Sequence, residues 1–398
     1  MAAVYHKTTL ALFLISILVL SLWSWVLVDP NFTLVDHADW AAFREWAVQI
    51  GYLNRPFSSR VFLWLVSAMS LSSWLLTWKP PKKIFLISIM IGVVAGLLSY
   101  PALSHDLFNY IFDARILTNY GQNPYLHKAL DFPLDPMVRF MHWTHRTYPY
   151  GPAYLLLSLI PSILGMNLFS LTFFLFKLSH VLLYLVSVKS LLSINKKAAA
   201  IFAFSPLVIV EGLINTHNDF VAVCLCIIGI NFLHHKKAML GTIALVTSGL
   251  IKYLTLPITI IALAPRYESV RIFGRTYHLR PLYPIFSLIG VSGLLFYLVT
   301  HGEIHPWYFL NLLVFLPYFA DIFLFLYPFI LGLLLSYYPY VAGGEWGQGG
   351  EVGLKNVIVY IGFVSNILLV TIYIVLRKCN FRNKVITTMH HPTSYKSE

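Results

Sequence analysis

The sequence predicts an all-α, polytopic membrane protein with about twelve transmembrane or partial-membrane helices. Three observations carry that expectation. Hydrophobic residues make up 58% of the 398-residue chain and charged residues 11%, where soluble globular domains carry about a quarter charged. The apolar residues come in long continuous runs, not in the short alternating stretches of a membrane barrel. The cations, in net excess by 12, cluster between the runs, and in a membrane chain that distribution reports orientation. The excess therefore implies a lipid bilayer as partner and no nucleic acid.

The elements follow in order. Thr9 to Val28 has the basic flank of a signal peptide, but its run is long and the small-residue cleavage pattern is poor, so it reads as a helix. Val61 to Trp78 and Ile84 to Tyr100 come next. Ala153 to Gly165 holds Pro161 and spans only about 13 residues against the roughly 20 needed to cross, so it is expected to lie along the surface. The remaining runs are Asn167 to Ser190, Ala198 to Leu213, Phe220 to Leu233, Ala238 to Leu250, Leu254 to Ala264, Tyr283 to Val299, Tyr308 to Ala320, Ile322 to Tyr338 and Val357 to Leu376. Several reach only about 11 to 14 residues, the length of half-helices or of breaks beside a cavity.

With Ala153 to Gly165 at the surface, the basic clusters (Lys7, Lys82, Lys196, Lys236, Arg271, Arg377) fall on one side, and both termini are expected in the cytoplasm. Residues 1–380 then form one membrane domain, and 381–398 a short cytoplasmic tail. Asp29 to Arg60, Pro101 to Pro152, Asn215 to Asp219, His301 to Trp307 and Ala342 to Glu351 share the outer face. Within this set, 101–165 is a motif-dense loop with interfacial helices.

Ser104 to Tyr120 has helical spacing. Ser104 can cap, Asp106, Tyr110 and Asp113 recur on one face, and Leu107, Ile111 and Leu117 form an apolar side. The expected element is an amphipathic interfacial helix stopped by Gly121 and by Asn123, Pro124 and Tyr125. Asp106 is either a first-turn carboxylate favoured by the helix dipole or a base at the mouth of a cavity.

Asp106 and Tyr110, the Gly121, Asn123, Pro124, Tyr125 sequence, and Tyr148 through Pro152 resemble the GT-C superfamily of integral-membrane glycosyltransferases. They look most like the bacterial polyprenol-phosphate-mannose-dependent α-mannosyltransferases. Glu211 with His217, Asn218 and Asp219, then Gly249 to Tyr253, then His305 to Tyr308 follow in the order that family shows. The resemblance implies a GT-C-like fold in the cytoplasmic membrane, with its active site on the outer face. It also implies transfer of one sugar, expected to be mannose, from a polyprenyl phosphate to a glycan or glycolipid acceptor.

A lipid phosphate is already a good leaving group, so such a site needs cations for the phosphate and one carboxylate to deprotonate the acceptor as it inverts the anomeric carbon. Asp106 matches the family's carboxylate, with Asp36 and Asp39 of the first outer loop as the alternatives. Arg115, Arg146, Lys252 and His305 are the candidate phosphate partners. Lys252 stands between two short apolar runs, where a cation is costly without a partner. Tyr110, Asp113, Asn123, Tyr125, Tyr150, His217, Asn218, Asp219 and Trp307 are the candidate sugar contacts, Asp113 having a salt bridge to Arg115 as its rival role.

No cofactor is expected. His142 and His145, at i, i+3 spacing, form the one pair that with Asp135 or Asp219 could take a divalent metal. A transporter or lipid flippase would also explain broken helices and the intramembrane Lys177 and Lys252. A non-catalytic subunit of an envelope glycan assembly complex is the third possibility.

Overall fold

The computed structural model describes residues 2–273, 275–344 and 349–389. Among the described residues, the regular structure is helical apart from one hairpin. In order, the helices are α1 (Ala2–Ser24), α2 (Ala38–Ala47), α3 (Arg55–Trp78), α4 (Ile84–Ile91), α5 (Asp106–Thr118), α6 (Pro152–Leu164), α7 (Phe169–Ile194) and α8 (Lys196–Phe204). Then come α9 (Asn218–His234), α10 (Ala238–Ile251), α11 (Leu282–His301), α12 (Leu316–Phe323), α13 (Tyr327–Leu335), α14 (Tyr338–Gly343) and α15 (Gly349–Met389). Among the described residues, 6 stretches are long and apolar enough to span a membrane: His6–Leu27, Arg55–Trp78, Phe169–Ile194, Leu282–His301, Pro306–Phe323 and Gly350–Val375. Ile84–Leu97, α6, α9, α10 and Tyr253–Leu263 are the shorter apolar helices, as the short runs anticipate.

The Ala198 to Leu213 run is broken. α8 stops at Phe204 and a π-helical segment, Val208–Ile214, resumes at a 64° bend. Pro206 in the gap has no N–H to continue the helix and pushes the preceding residue out of the α region. The break leaves carbonyls without intrahelical partners; Tyr184 Oη donates to that of Ala203 at 2.7 Å and Ser73 Oγ to that of Phe204, while Lys177 of α7 serves the far end of the resumed segment. Its Nζ, fully buried, donates to the carbonyls of Leu213 and Ile214 and to Ser99 Oγ at 3.1–3.3 Å.

One expectation needs correction, and one helix extends further than anticipated. α5 has no wet face: from Asp106 to Ala114 every residue is buried, because α6, α7 and the 119–151 loop enclose it. The basic connector after Tyr253–Leu263 carries a hairpin. Strands β1 (Ser269–Ile272) and β2 (Arg275–His278) pair antiparallel with Ser269 opposite His278, and no apolar pattern announces them because β2 is exposed along its length. Finally, α15 passes Asn380 without interruption and continues to Met389; residues 390–398 lie outside the described set.

The site is positioned by α9 and α10, which run antiparallel across the short 235–237 connection. At Gly229 an added Cβ would sit 3.1 Å from the Gly241 carbonyl oxygen, and one at Gly241 would sit 3.0 Å from that of Gly229. Bare backbones therefore let the pair close up, and the start of α9 meets the end of α10. The first is Asp219; the second is Lys252.

Candidate active site

A cavity of about 600 Å³ opens where three distant segments converge: 103–106 at the head of α5, 142–150 in the loop above it, and 303–308 after α11, with Lys252 at the edge of α10. Asp106 lies in its wall, 8% exposed. Ser104 Oγ accepts the Asp106 backbone N–H at 3.3 Å, the local cap the sequence suggests.

Two side chains hold the Asp106 carboxylate, and a third holds one of those two. Tyr110, one turn on, donates its hydroxyl to Oδ2 at 3.3 Å. His217 Nδ1 stands 3.6 Å from the same oxygen, and His217 Nε2 stands 3.2 Å from Glu211 Oε2. Glu211 is fully buried and accepts from Asn215 Nδ2 and Tyr337 Oη, each at 3.1 Å. The imidazole is thus held between two carboxylates. Burial favours its neutral form, but Asp106 and Glu211 outweigh that and lift it to about 9. Burial would likewise raise Asp106, but the His217 imidazolium, with Arg146 and Lys252 beyond it, brings it down to about 2. Asp106 is therefore a carboxylate and His217 a cation at neutral pH.

The cation side is built from Lys252 and Arg146. Lys252 Nζ pairs with Asp219 Oδ2 at 2.8 Å, and Asn311 Nδ2 donates to Asp219 Oδ1 at 3.1 Å. Asp219 is therefore a buried counter-ion and not a helix cap. The ammonium lies 5.2 Å from the Tyr150 ring centre and 5.6 Å from that of Tyr308, within cation–π range. Arg146 stands over the Trp143 ring at 5.2 Å and donates to Tyr150 Oη at 3.5 Å. Among the described residues no carboxylate is within ion-pair distance of it. Gly151 makes this contact set possible: a Cβ there would fall 1.8 Å from the Leu250 carbonyl oxygen, so only a bare backbone lets Tyr150 reach Lys252. The far wall is aromatic, His217 and His305 both stacking on Trp307 with ring centres 4.2 Å away.

Asp106, Arg146, Tyr150, Lys252, His305 and Trp307 line the cavity, with Tyr110, His217 and Asp219 bound directly to that lining. The other expected residues lie elsewhere. Arg115 pairs with Asp135 at 2.6 Å and bonds to Asn167, facing a separate cavity of about 220 Å³. It makes no salt bridge to Asp113, whose carboxyl is buried and pushed up to about 8 by that burial, only partly offset by Arg146. Asn123 forms a turn by accepting the Tyr125 N–H at 3.0 Å, and Tyr125 donates to the Tyr150 carbonyl at 3.1 Å; both support the loop. Asn218 is buried in the first turn of α9. Asp36 and Asp39 are exposed on the first loop, Asp39 beside His37.

The structure also adds residues. Glu211 enters the sequence argument only as part of a motif, although a carboxylate inside an apolar run is itself a signal. Asn311 carries the weaker form of the same signal. Glu303, in the cavity wall and paired with Lys355 Nζ at 3.1 Å, has none. The His142 and His145 pairing does not form. Residues 142–145 are not helical, and His145 sits edge-on to Trp143 with centres 6.2 Å apart. Asp135 and Asp219 are engaged by Arg115 and Lys252.

A carboxylate fixed at a cavity wall, two cations and an aromatic rim, carried on the ends of helices in a polytopic bundle, define a membrane glycosyltransferase of the GT-C type. Comparison with known families agrees: residues 33–265 match the family described as alpha-(1->6)-mannopyranosyltransferase, N-terminal domain. The chain belongs to that mannosyltransferase family. No curated protein and no solved structure matches it.

Proposed function

We propose that this chain transfers mannose from a polyprenyl-phosphate donor to a glycan or glycolipid acceptor, with inversion, at the outer face of the cytoplasmic membrane. The observation that carries the reading is the convergence of Asp106, Lys252, Arg146 and Trp307 on one cavity from segments far apart in the chain. Its volume, about 600 Å³, is within the range of small-molecule sites, roughly 300–1,000 Å³.

The acceptor hydroxyl oxygen attacks the anomeric carbon while the bond from that carbon to the phosphate oxygen breaks. The departing electron pair leaves with the polyprenyl phosphate, whose growing charge Lys252 and Arg146 stabilise. The hydroxyl proton passes to Asp106. The His217 imidazolium keeps Asp106 ionised at neutral pH, which makes it a weak base. A weak base suits a reaction in which the sugar carbon is already cationic and the hydroxyl loses its proton late. Tyr308 offers a flat face to the pyranose, while the faces of Trp307 are taken by His217 and His305.

The orientation rests on the basic clusters flanking the helices. A transporter reading loses its main support, because Lys177 serves the carbonyls that end the Val208–Ile214 segment and Lys252 has a fixed counter-ion. Purified protein incubated with a panel of radiolabelled polyprenyl-phosphate sugars and membrane-derived acceptors tests the reading. Acceptor-dependent transfer of mannose is the expected result; transfer from none of the donors refutes it.

A further inference from the structure

A second cluster of chemically able side chains lies beside the cavity and has no part in the transfer just described. Asp29 follows the first span, His105 immediately precedes α5, and His142 lies in the loop over it. One ligand atom from each comes within 4.8 Å of the others. His105 is 7% exposed, and its ring lies over that of His142 with centres 3.9 Å apart. Tyr100 holds the arrangement: its hydroxyl is 3.2 Å from His105 Nε2 and accepts the Asp29 backbone N–H at 3.3 Å.

The chemistry of the three groups matches a metal better than it matches a hydrogen-bond network. Each imidazole offers a metal the lone pair of one ring nitrogen, and the Asp29 carboxylate an oxygen. Tyr100 engages His105 Nε2, and among the described residues the buried Nδ1 has no partner of good hydrogen-bond geometry, so Nδ1 is the nitrogen available to ligate. The three residues also line a small cavity of about 140 Å³. Arg55, the cation in that same wall, is turned onto the Tyr52 ring at 4.3 Å.

We propose that Asp29, His105 and His142 bind one divalent transition-metal ion of the zinc type. Two imidazoles and one carboxylate are three protein ligands, which leaves one position of a tetrahedral ion open to water or to an anion. His105 and His142 line both this small cavity and the large one. An ion here stitches the first outer loop to the head of α5 and sets a divalent charge in the wall of the cavity. The site uses His142 with two partners remote in sequence and excludes His145.

Cobalt is the probe. Full-length, tag-free protein in detergent, stripped with a chelator, is titrated with Co²⁺ while the visible bands of four-coordinate cobalt are followed, and the bound ion is counted by elemental analysis. The expected result is one ion per chain, displaced by Zn²⁺. Asp29→Asn and His142→Ala should each weaken binding at least about tenfold, and His145→Ala should leave it unchanged. Asp29→Asn is nearly isosteric at a half-buried position, so it reports on the site even if the His142 variant unfolds. Absence of a saturable stoichiometric signal in the wild type, or undiminished affinity in Asp29→Asn, overturns the proposal. Loss in His145→Ala equal to that in His142→Ala overturns it as well.

Discussion

Lys252 is where the structure changes what a substitution should do. Met in its place removes a phosphate cation, but it also strips Asp219 of its counter-ion. Asp219 is fully buried and, among the described residues, has Lys252 at 2.8 Å and Asn311 at 3.1 Å on its two oxygens. Removing one partner of such a pair costs about 3–5 kcal/mol, because a desolvated charge is left uncompensated. Lys252→Met should therefore lower the thermal midpoint in detergent by several degrees. The double variant Asp219→Asn/Lys252→Met removes both charges, and the amide can still bond to Asn311, so it should recover most of that loss. Donor use should not recover with it. A charge-assisted hydrogen bond to phosphate contributes about 1.5–3 kcal/mol, which corresponds to a drop of about ten- to a hundredfold in kcat/KM for the donor. The acceptor KM should be unchanged. Thermal unfolding together with kinetics in which each substrate is varied separately gives both readings on the same three proteins. If the double variant regains donor turnover along with stability, Lys252 holds Asp219 and does nothing for phosphate. If Lys252→Met is as stable as the wild type, the ion pair is not what keeps Asp219 buried.

Asp106→Asn should cut turnover by at least about a hundredfold, as for loss of a general base, with melting near wild type, while Asp36→Asn and Asp39→Asn stay active; the reverse pattern moves the base to the first loop. His217 has its proton affinity raised in the folded protein from 6.5 to about 9. Its contribution to stability is thus complete below about 6.5 and lost as pH rises through about 9. Melting temperature and turnover should fall together on the alkaline side, and Glu211→Gln should shift that limb to lower pH; identical pH profiles in the two proteins refute the coupling. Gly151→Ala places a methyl 1.8 Å from the Leu250 carbonyl oxygen, which should cost at least about 1–3 kcal/mol and weaken the donor as Tyr150 leaves Lys252. Unchanged melting and unchanged donor kinetics would contradict that.

The membrane helices could be read from the sequence because the bilayer imposes one constraint on all of them, a run of apolar residues of sufficient length. The same constraint gives no guidance on segments outside the lipid. The spacing of Asp106, Tyr110 and Asp113 reads as a wet face, but in α5 those residues face protein. The i, i+3 reading of His142 and His145 presumes a helix that the loop does not form. Arg115 and Asn123 look like site residues because they are polar and near the motif. Their actual partners, Asp135 and the turn at Tyr125, are set by loop closure and not by chemistry. Other parts of the site had a signal in the sequence that needed a second step to interpret. Lys252 and Glu211, each charged beside or within an apolar run, announce that partners exist without naming them. For Lys252 the partner follows from connectivity. Two short helices joined by three residues must run antiparallel, so the residue that opens the first meets the residue that follows the second, and the glycines Gly229 and Gly241 let them close up. For Glu211 no such inference exists, since Tyr337 approaches it from the turn between α13 and α14, more than a hundred residues away. Local connectivity therefore fixes the cation side of the site, while long-range packing fixes the carboxylate side, and substitutions on the two sides should differ in how readily a neighbouring second change repairs them.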